Sequence, residues 1–231
     1  MSKKILGFIP ARGGSKSIPL KNIVSIGGVP LIKYCIDAAV KSNIIDKLIC
    51  STDNKEIADI AFDAGCEIDL RPDSLSGDDV NVHEVVRDFL KRSKEKYEYI
   101  FLIQPTSPFI KAFDFIDLLN AIKSKSKFLT AHNIAKIPHN FHALNQREIF
   151  ADEVKFVFEE QRIKAYNKQL KPQYYCFGNL CLSKYENLIN NGTFFQSPSS
   201  YVYIDWPRNI DIDNLHDVKI VNSLLDAGLI K

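Results

Sequence analysis

The chain lacks a strong excess of either charge: 30 Lys and Arg against 28 Asp and Glu leave a net +2 over 231 residues. Proteins that grip nucleic acid or lipid headgroups draw on broad single-sign fields, so neither partner is expected. No apolar run approaches the roughly 20 residues that span a bilayer. The opening Met1-Ser2-Lys3-Lys4 has neither an apolar h-region nor a small-residue cleavage site. Cysteine is sparse and odd in number, with Cys35, Cys50, Cys66, Cys176 and Cys181 inside apolar runs and no CxxC pair. That usage fits buried free thiols in a reducing compartment, so a cytoplasmic protein is expected. His83, His132, His139 and His142 show no zinc-ligand spacing and read as surface or hydrogen-bonded polar side chains. Repeats and low-complexity tracts are also absent. A single domain over residues 1–231 is the simplest organisation.

What is present is a regular alternation of apolar runs and amphipathic segments. Residues 5–9 read as a buried strand. Pro30 opens a helix that places Leu31, Tyr34, Cys35, Ala38 and Ala39 at helical spacing. A strand over 47–51 ends in Ser51-Thr52-Asp53-Asn54, and Asn54 caps a helix that stops at Gly65. A short strand over 66–70 delivers Arg71. Val82, Val85, Val86, Phe89 and Leu90 mark a further amphipathic helix. The most strand-like run, 99–103, stops at Gln104-Pro105-Thr106-Ser107-Pro108, with a helix near 114–124 and an apolar run over 128–134 beyond it. Strand and helix alternating at this spacing predict a three-layer α/β fold with a mostly parallel sheet.

From about Pro138 the period is lost. Residues 154–158 alternate like a strand, 159–171 are charged and loop-like, and 174–182 read as a strand with a glycine kink. The region of about 138–185 is expected to include a small lobe that pairs with a second copy. Phe194-Phe195 stand in an Asn/Gly/Ser-rich loop and need cover. A strand over 201–204 leads into Ile210-Asp211-Ile212-Asp213-Asn214 and a last helix bearing Leu215, Val218, Asn222 and Leu225.

The loop after the first strand concentrates the chemistry. Arg12, Gly13, Gly14, Ser15, Lys16 and Lys21 combine paired glycines, which let backbone N–H groups turn around an anion, with compensating cations. The pattern suits a polyphosphate; the plainer alternative is a loop whose basic residues face water. In α/β sheets ligands bind at the carboxyl ends of strands, where this loop, Arg71 and Gln104 all lie. Asp211 and Asp213 alternate along an extended segment, presenting both carboxylates to one side as a hard cation requires. On pattern alone Asp213 equally caps the last helix, with Asn214 as a second candidate for the cap.

Taken in order, the stretch 9–22, Arg71-Pro72, Gln104-Pro105-Thr106-Ser107-Pro108 and Ile210-Asp211-Ile212-Asp213 resemble the acylneuraminate cytidylyltransferase family. The resemblance covers nearly the whole chain. It implies a Rossmann-like nucleotidyltransferase with a small dimerisation lobe, working as a homodimer. The implied reaction moves CMP from CTP to the anomeric hydroxyl of a nine-carbon keto-sugar acid, releases pyrophosphate and requires Mg²⁺. By the same resemblance Arg12, Gly13, Ser15, Lys16 and Lys21 hold the triphosphate. Asn22, Arg71, Asn81 and Gln104 fall at nucleotide- or substrate-binding positions, and Asp211 and Asp213 position the metal. Arg12, Lys21, Asp211 and Lys168 are the expected catalytic groups.

Three departures fall on the specificity side. Val80 and Val82 stand where many members carry small hydroxyl residues near the pyrimidine, leaving base recognition to backbone groups, Asn81 or Gln104. Asn167 stands at the place of the usual arginine, with Lys168 beside it as a substitute cation for the sugar acid. The usual Asn-Gly before the following strand is reversed as Gly178-Asn179. The alternatives to the implied reaction are a nucleotidyltransferase of the same fold using another acid or NTP, and a catalytically silent nucleotide-binding relative.

Overall fold

A computed structural model describes residues 4–190 and 192–229; Met1, Ser2 and Lys3, part of the opening run, lie outside the described residues. Eleven strands are present among the described residues: β1 (Ile5–Pro10), β2 (Ser25–Ile26), β3 (Val29–Pro30), β4 (Lys47–Thr52), β5 (Glu67–Leu70), β6 (Tyr99–Ile103), β7 (Thr130–Lys136), β8 (Arg147–Phe150), β9 (Glu153–Phe156), β10 (Tyr175–Lys184) and β11 (Ser199–Tyr203). Seven of them form one sheet in the order β11-β7-β10-β6-β1-β4-β5. All neighbours run parallel except at β10, which is antiparallel to both β6 and β7.

Period-two alternation assigns the faces. Ile5 and Ile9 of β1 join a core with α1 (Leu31–Lys41), α2 (Lys55–Asp63) and α4 (Ala112–Lys123). Leu6 and Phe8 join a second core on the opposite face with α3 (Val82–Ser93) and α6 (Tyr185–Ile189). Gly7 shares the face of Ile5 and Ile9, and a Cβ there would come within 2.7 Å of the Leu48 side chain. Cys35, Cys50, Cys66 and Cys181 are buried free thiols, and Cys176 is half-buried and free. Burial pushes the Cys50 thiol up to about 12, so it stays protonated and inert.

A third, smaller core gathers Ile18, Ile26, Leu31, Phe109, Ile212 and Val221. It packs the loop after β1 against the aspartate-bearing segment and against α7 (Leu215–Asp226), tying the two ends of the chain together. Asn214 caps α7 by accepting hydrogen bonds from the His216 and Asp217 backbone N–H groups, and Asp217 reaches back to the Asn214 N–H. Asn214 is thus the helix cap.

The excursion from the sheet is shorter than the sequence pattern suggests, because β10 is a full member of the sheet. Residues 137–174 carry the hairpin β8–β9 and, within the stretch 159–171 expected as a charged loop, the short helix α5 (Glu159–Lys164). The kink in β10 is a register shift between Phe177 and Cys181. Gly178 is required there, since a Cβ would come within 2.9 Å of the Asn133 carbonyl oxygen. Phe194 is fully buried, and Phe195 is half-exposed against the rings of His132 and Phe177.

Candidate functional site

The sheet order changes direction at β1: the chain leaves β1 toward β4 and β5 and returns on the other side with β6. The loops after β1 and β6 therefore diverge and leave a crevice, the usual place for a ligand in such sheets. A cleft of about 250 Å³ sits there, lined by Arg12, Gly14, Ser15, Lys21, Asn22, Gln104 and Thr106 among others. An adjoining recess of about 260 Å³ shares Arg12 and adds Arg71, Asp78, Val80 and Val82.

Within the loop, the two glycines have distinct roles, which differ from a shared anion cradle. The Gly13 N–H donates to Asp53 Oδ1 at 2.7 Å, and a Cβ on Gly13 would lie 2.8 Å from the Asn54 Cβ. Gly13 is thus a packing position, while Gly14 and Ser15 face the cleft. Neither glycine has a positive φ; the left-handed residue of the loop is Leu20, at φ 48°. Asn22 is buried and donates its side-chain N–H to the Arg12 carbonyl at 2.9 Å, bracing the loop from beneath.

Arg12 and Lys16 both reach across to Asp78, at 2.5 Å and 2.6 Å. These two cations hold the Asp78 carboxyl below the usual carboxylate range. Lys21 is turned the other way and pairs with Asp213 Oδ1 at 3.0 Å. Arg71 is buried at the floor of the second recess. One guanidinium nitrogen donates to the Ser51 carbonyl at 2.6 Å, while Nε has no partner. Burial lowers its affinity for the proton, although the nearby Asp53 and Asp69 carboxylates oppose this. Asn81 is exposed and caps α3 by accepting from the His83 N–H at 3.0 Å; its neighbours Val80 and Val82 are the ones that line the recess.

Asp211 is half-buried and accepts from Ser107 Oγ at 3.0 Å. Burial raises its carboxyl above the ordinary range and the Asp213 charge adds to this; hydrogen bonds from Thr106 and Ser107 and the Lys21 cation act the other way. Ile212 between the two aspartates is fully buried and its N–H donates to the Thr106 carbonyl at 2.9 Å. Among the described residues no three His, Cys, Asp or Glu side chains gather as a metal cage. Two carboxylates suit Mg²⁺, which commonly takes one or two protein carboxylates and completes its shell with phosphate oxygens and water. The donor set therefore fits a cation bound together with a polyphosphate.

Other expected residues lie apart. Lys168 is exposed in a 3-10 turn (Lys168–Leu170) and lines a separate cleft of about 740 Å³ with His139, Lys171, Asp205 and Trp206. Asn179 is fully buried, hydrogen-bonded to the Arg208 carbonyl at 2.8 Å and to the Asn133 amide at 2.9 Å. His83 is buried with Nδ1 unpartnered, which differs from a surface or hydrogen-bonded histidine; the Phe194 ring stacks on it at 5.7 Å. His132 bonds the Phe194 carbonyl and His142 the Pro172 carbonyl, as polar interior histidines. In the sequence Asp53, Asp78, Thr106 and Ser107 carried no assigned role. Asp53 had a signal in its position directly after a strand; Asp78 had only a turn-rich context.

The sequence profile described as cytidylyltransferase matches residues 6–197 of the chain. The N-acylneuraminate cytidylyltransferase of Streptococcus agalactiae serotype V is 28% identical over 93% of the chain and 51% of that relative, so the chain spans about half its length. The pseudaminic acid cytidylyltransferase of Campylobacter jejuni serotype O:2 is 30% identical, covering 96% of both chains. Among solved structures, a CMP:2-keto-3-deoxy-manno-octonic acid synthetase complexed with CTP superimposes with a TM-score of 0.74 over 97% of this chain and 99% of its own, at 14% identity.

Proposed function

The chain belongs to the cytidylyltransferase family, and from that premise we propose that it transfers CMP from CTP to a sialic-acid-like nonulosonic acid, releasing pyrophosphate. The observation that carries this reading is the convergence on one crevice of three separate segments. These are the basic loop after β1, the Gln104–Ser107 turn after β6, and the aspartate pair near the end of the chain. The activities named for the Streptococcus and Campylobacter relatives support the choice of nucleotide and acid.

In this reaction the anomeric hydroxyl oxygen of the acid forms a bond to the α-phosphorus, the bond to the bridging oxygen of pyrophosphate breaks, and the hydroxyl proton is lost. Negative charge builds on the α-phosphate and the leaving group, so catalysis rests on positioned cations and N–H donors. Arg12, Lys16 and Lys21 supply the cations, and Gly14 and Ser15 the adjacent backbone. Arg71 and the walls formed by Val80 and Val82 receive the base. Mg²⁺ bound by Asp211 and Asp213 would neutralise charge on the phosphates as a Lewis acid. In this reading Asp211 would also accept the hydroxyl proton. Lys168 lines a separate cleft and is given no part in holding the acid's carboxylate, which is bonded to the anomeric carbon at the crevice. The homodimer is supported by the apolar side chains exposed on residues 137–174, among them Ile149, Phe150, Val154 and Ile163.

The test mixes purified protein with each NTP, Mg²⁺ and a panel of nonulosonic acids and follows pyrophosphate release. Release with CTP and at least one acid is the expected result; none with CTP and any acid overturns the reading.

A further inference from the structure

Ser107 and Thr106 grip the Asp211–Ile212 segment at more than one point. Ser107 is fully buried and donates Oγ–H to Asp211 Oδ1 at 3.0 Å, across 104 residues of chain. The Thr106 side chain acts on the Asp211 carboxylate in the same sense as Ser107, favouring its charged form. Its carbonyl accepts the Ile212 N–H at 2.9 Å. One turn at the end of β6 thus holds both the backbone and the side chain of the aspartate segment.

We propose that Ser107, with Thr106, is a positioning residue that aims the Asp211 carboxylate and thereby sets the affinity of the site for its divalent cation; this rests on the metal role assigned to Asp211 above. A free carboxylate rotates about its terminal torsion, and a cation must fix that rotation on binding. With Oδ1 engaged by a buried hydroxyl, the rotation is already restricted, while the remaining lone pairs stay open to the cation. Ser107 has no exposed surface, so it cannot act on nucleotide directly. Its reach into the crevice runs through Asp211. Hydrogen-bond partners behind a metal ligand typically tune affinity 10- to 100-fold.

The measurement is Mn²⁺ affinity of the full chain in the presence of CTP, by electron paramagnetic resonance, beside CTP affinity without metal by calorimetry. Asp211→Asn, the reference variant, is expected to weaken Mn²⁺ binding. Ser107→Ala is expected to weaken it about tenfold while leaving metal-free CTP affinity within about twofold. Thr106→Val keeps the side-chain shape and should move Mn²⁺ affinity in the same direction, which gives a second reading if Ser107→Ala folds poorly. Both effects should vanish in the Asp211→Asn background, because a residue acting through Asp211 has nothing left to aim. If Asp211→Asn weakens Mn²⁺ binding but neither hydroxyl variant does, the positioning role is overturned and the metal reading stands. If Asp211→Asn leaves Mn²⁺ affinity at the wild-type value, the metal reading of Asp211 fails and this inference with it. Equal losses in wild-type and Asp211→Asn backgrounds would also overturn it, by showing a purely structural effect.

Discussion

Lys21 is the side chain whose loss should separate chemistry from folding most cleanly. Its ion pair with Asp213 joins a half-buried ammonium to an exposed carboxylate, and such pairs contribute about 0–1 kcal/mol. Lys21→Ala is therefore expected to melt close to the wild-type temperature. Removing a cation aimed at developing phosphate charge should lower kcat/KM for CTP by about 10²–10³-fold. Pyrophosphate release and a thermal melt on one preparation check both halves; wild-type turnover would remove Lys21 from the reaction. Asp78 should behave in the opposite sense. It holds Arg12 and Lys16 at 2.5 and 2.6 Å, so it competes with any anionic ligand for both cations. Asp78→Asn should tighten CTP binding by up to about fivefold, the scale of an exposed ion pair, with the gain shrinking as salt is added. Weaker CTP binding would instead make Asp78 a support for Arg12. The cations were legible as a group because Arg12, Lys16 and Lys21 crowd one glycine-bearing loop after a strand. Asp78 was not, because a carboxylate in a turn declares its partner only once the chain has folded.

Among the elements, the small core of Ile18, Ile26, Leu31, Phe109, Ile212 and Val221 deserves separate study, since it is the mechanical link between the two halves of the cleft. Ile212→Ala removes a fully buried side chain and should cost about 2–5 kcal/mol of stability. The same substitution should also weaken CTP binding, because the loop and the aspartates lose their common footing. Denaturant melts and calorimetric titration read the two effects; full CTP affinity in a destabilised protein would show that the core stabilises without positioning. Most strands and helices were readable from their periodicity, since each buries one face of known period. Gly178 announced the irregularity in β10. The place of β10 between β6 and β7 was not readable, because strand order depends on pairing between distant segments. The β8–β9 hairpin was only half seen: Val154 to Phe156 alternate visibly, whereas Arg147 to Phe150 become a strand only by pairing with them.

At the scale of the whole molecule, the apolar side chains on residues 137–174 face solvent in the single chain. Val154 is 63% exposed and Ile149, opposite it in the hairpin, 79%. Covering them with a second copy predicts that Val154→Glu shifts sedimentation from dimer toward monomer while leaving helix content intact. A wild-type dimer in that variant would place the contact elsewhere. Lys168→Ala is expected to leave KM for CTP and for the sugar acid near their wild-type values, because its cleft shares no lining residue with the one that holds Arg12 and Lys21. Steady-state kinetics with each substrate varied in turn decide this, and a raised KM for the acid would bring Lys168 into the site.

The bond from Lys21 to Asp213 spans 192 residues, and that from Ser17 to the Asp213 carbonyl 196. During synthesis the strands β1, β4, β5 and β6 are available to pair long before residue 211 leaves the ribosome. A nascent chain can thus own several paired strands, with the basic loop already made, and still lack Asp211 and Asp213. The two sides of the crevice therefore meet only once synthesis has passed Asp213.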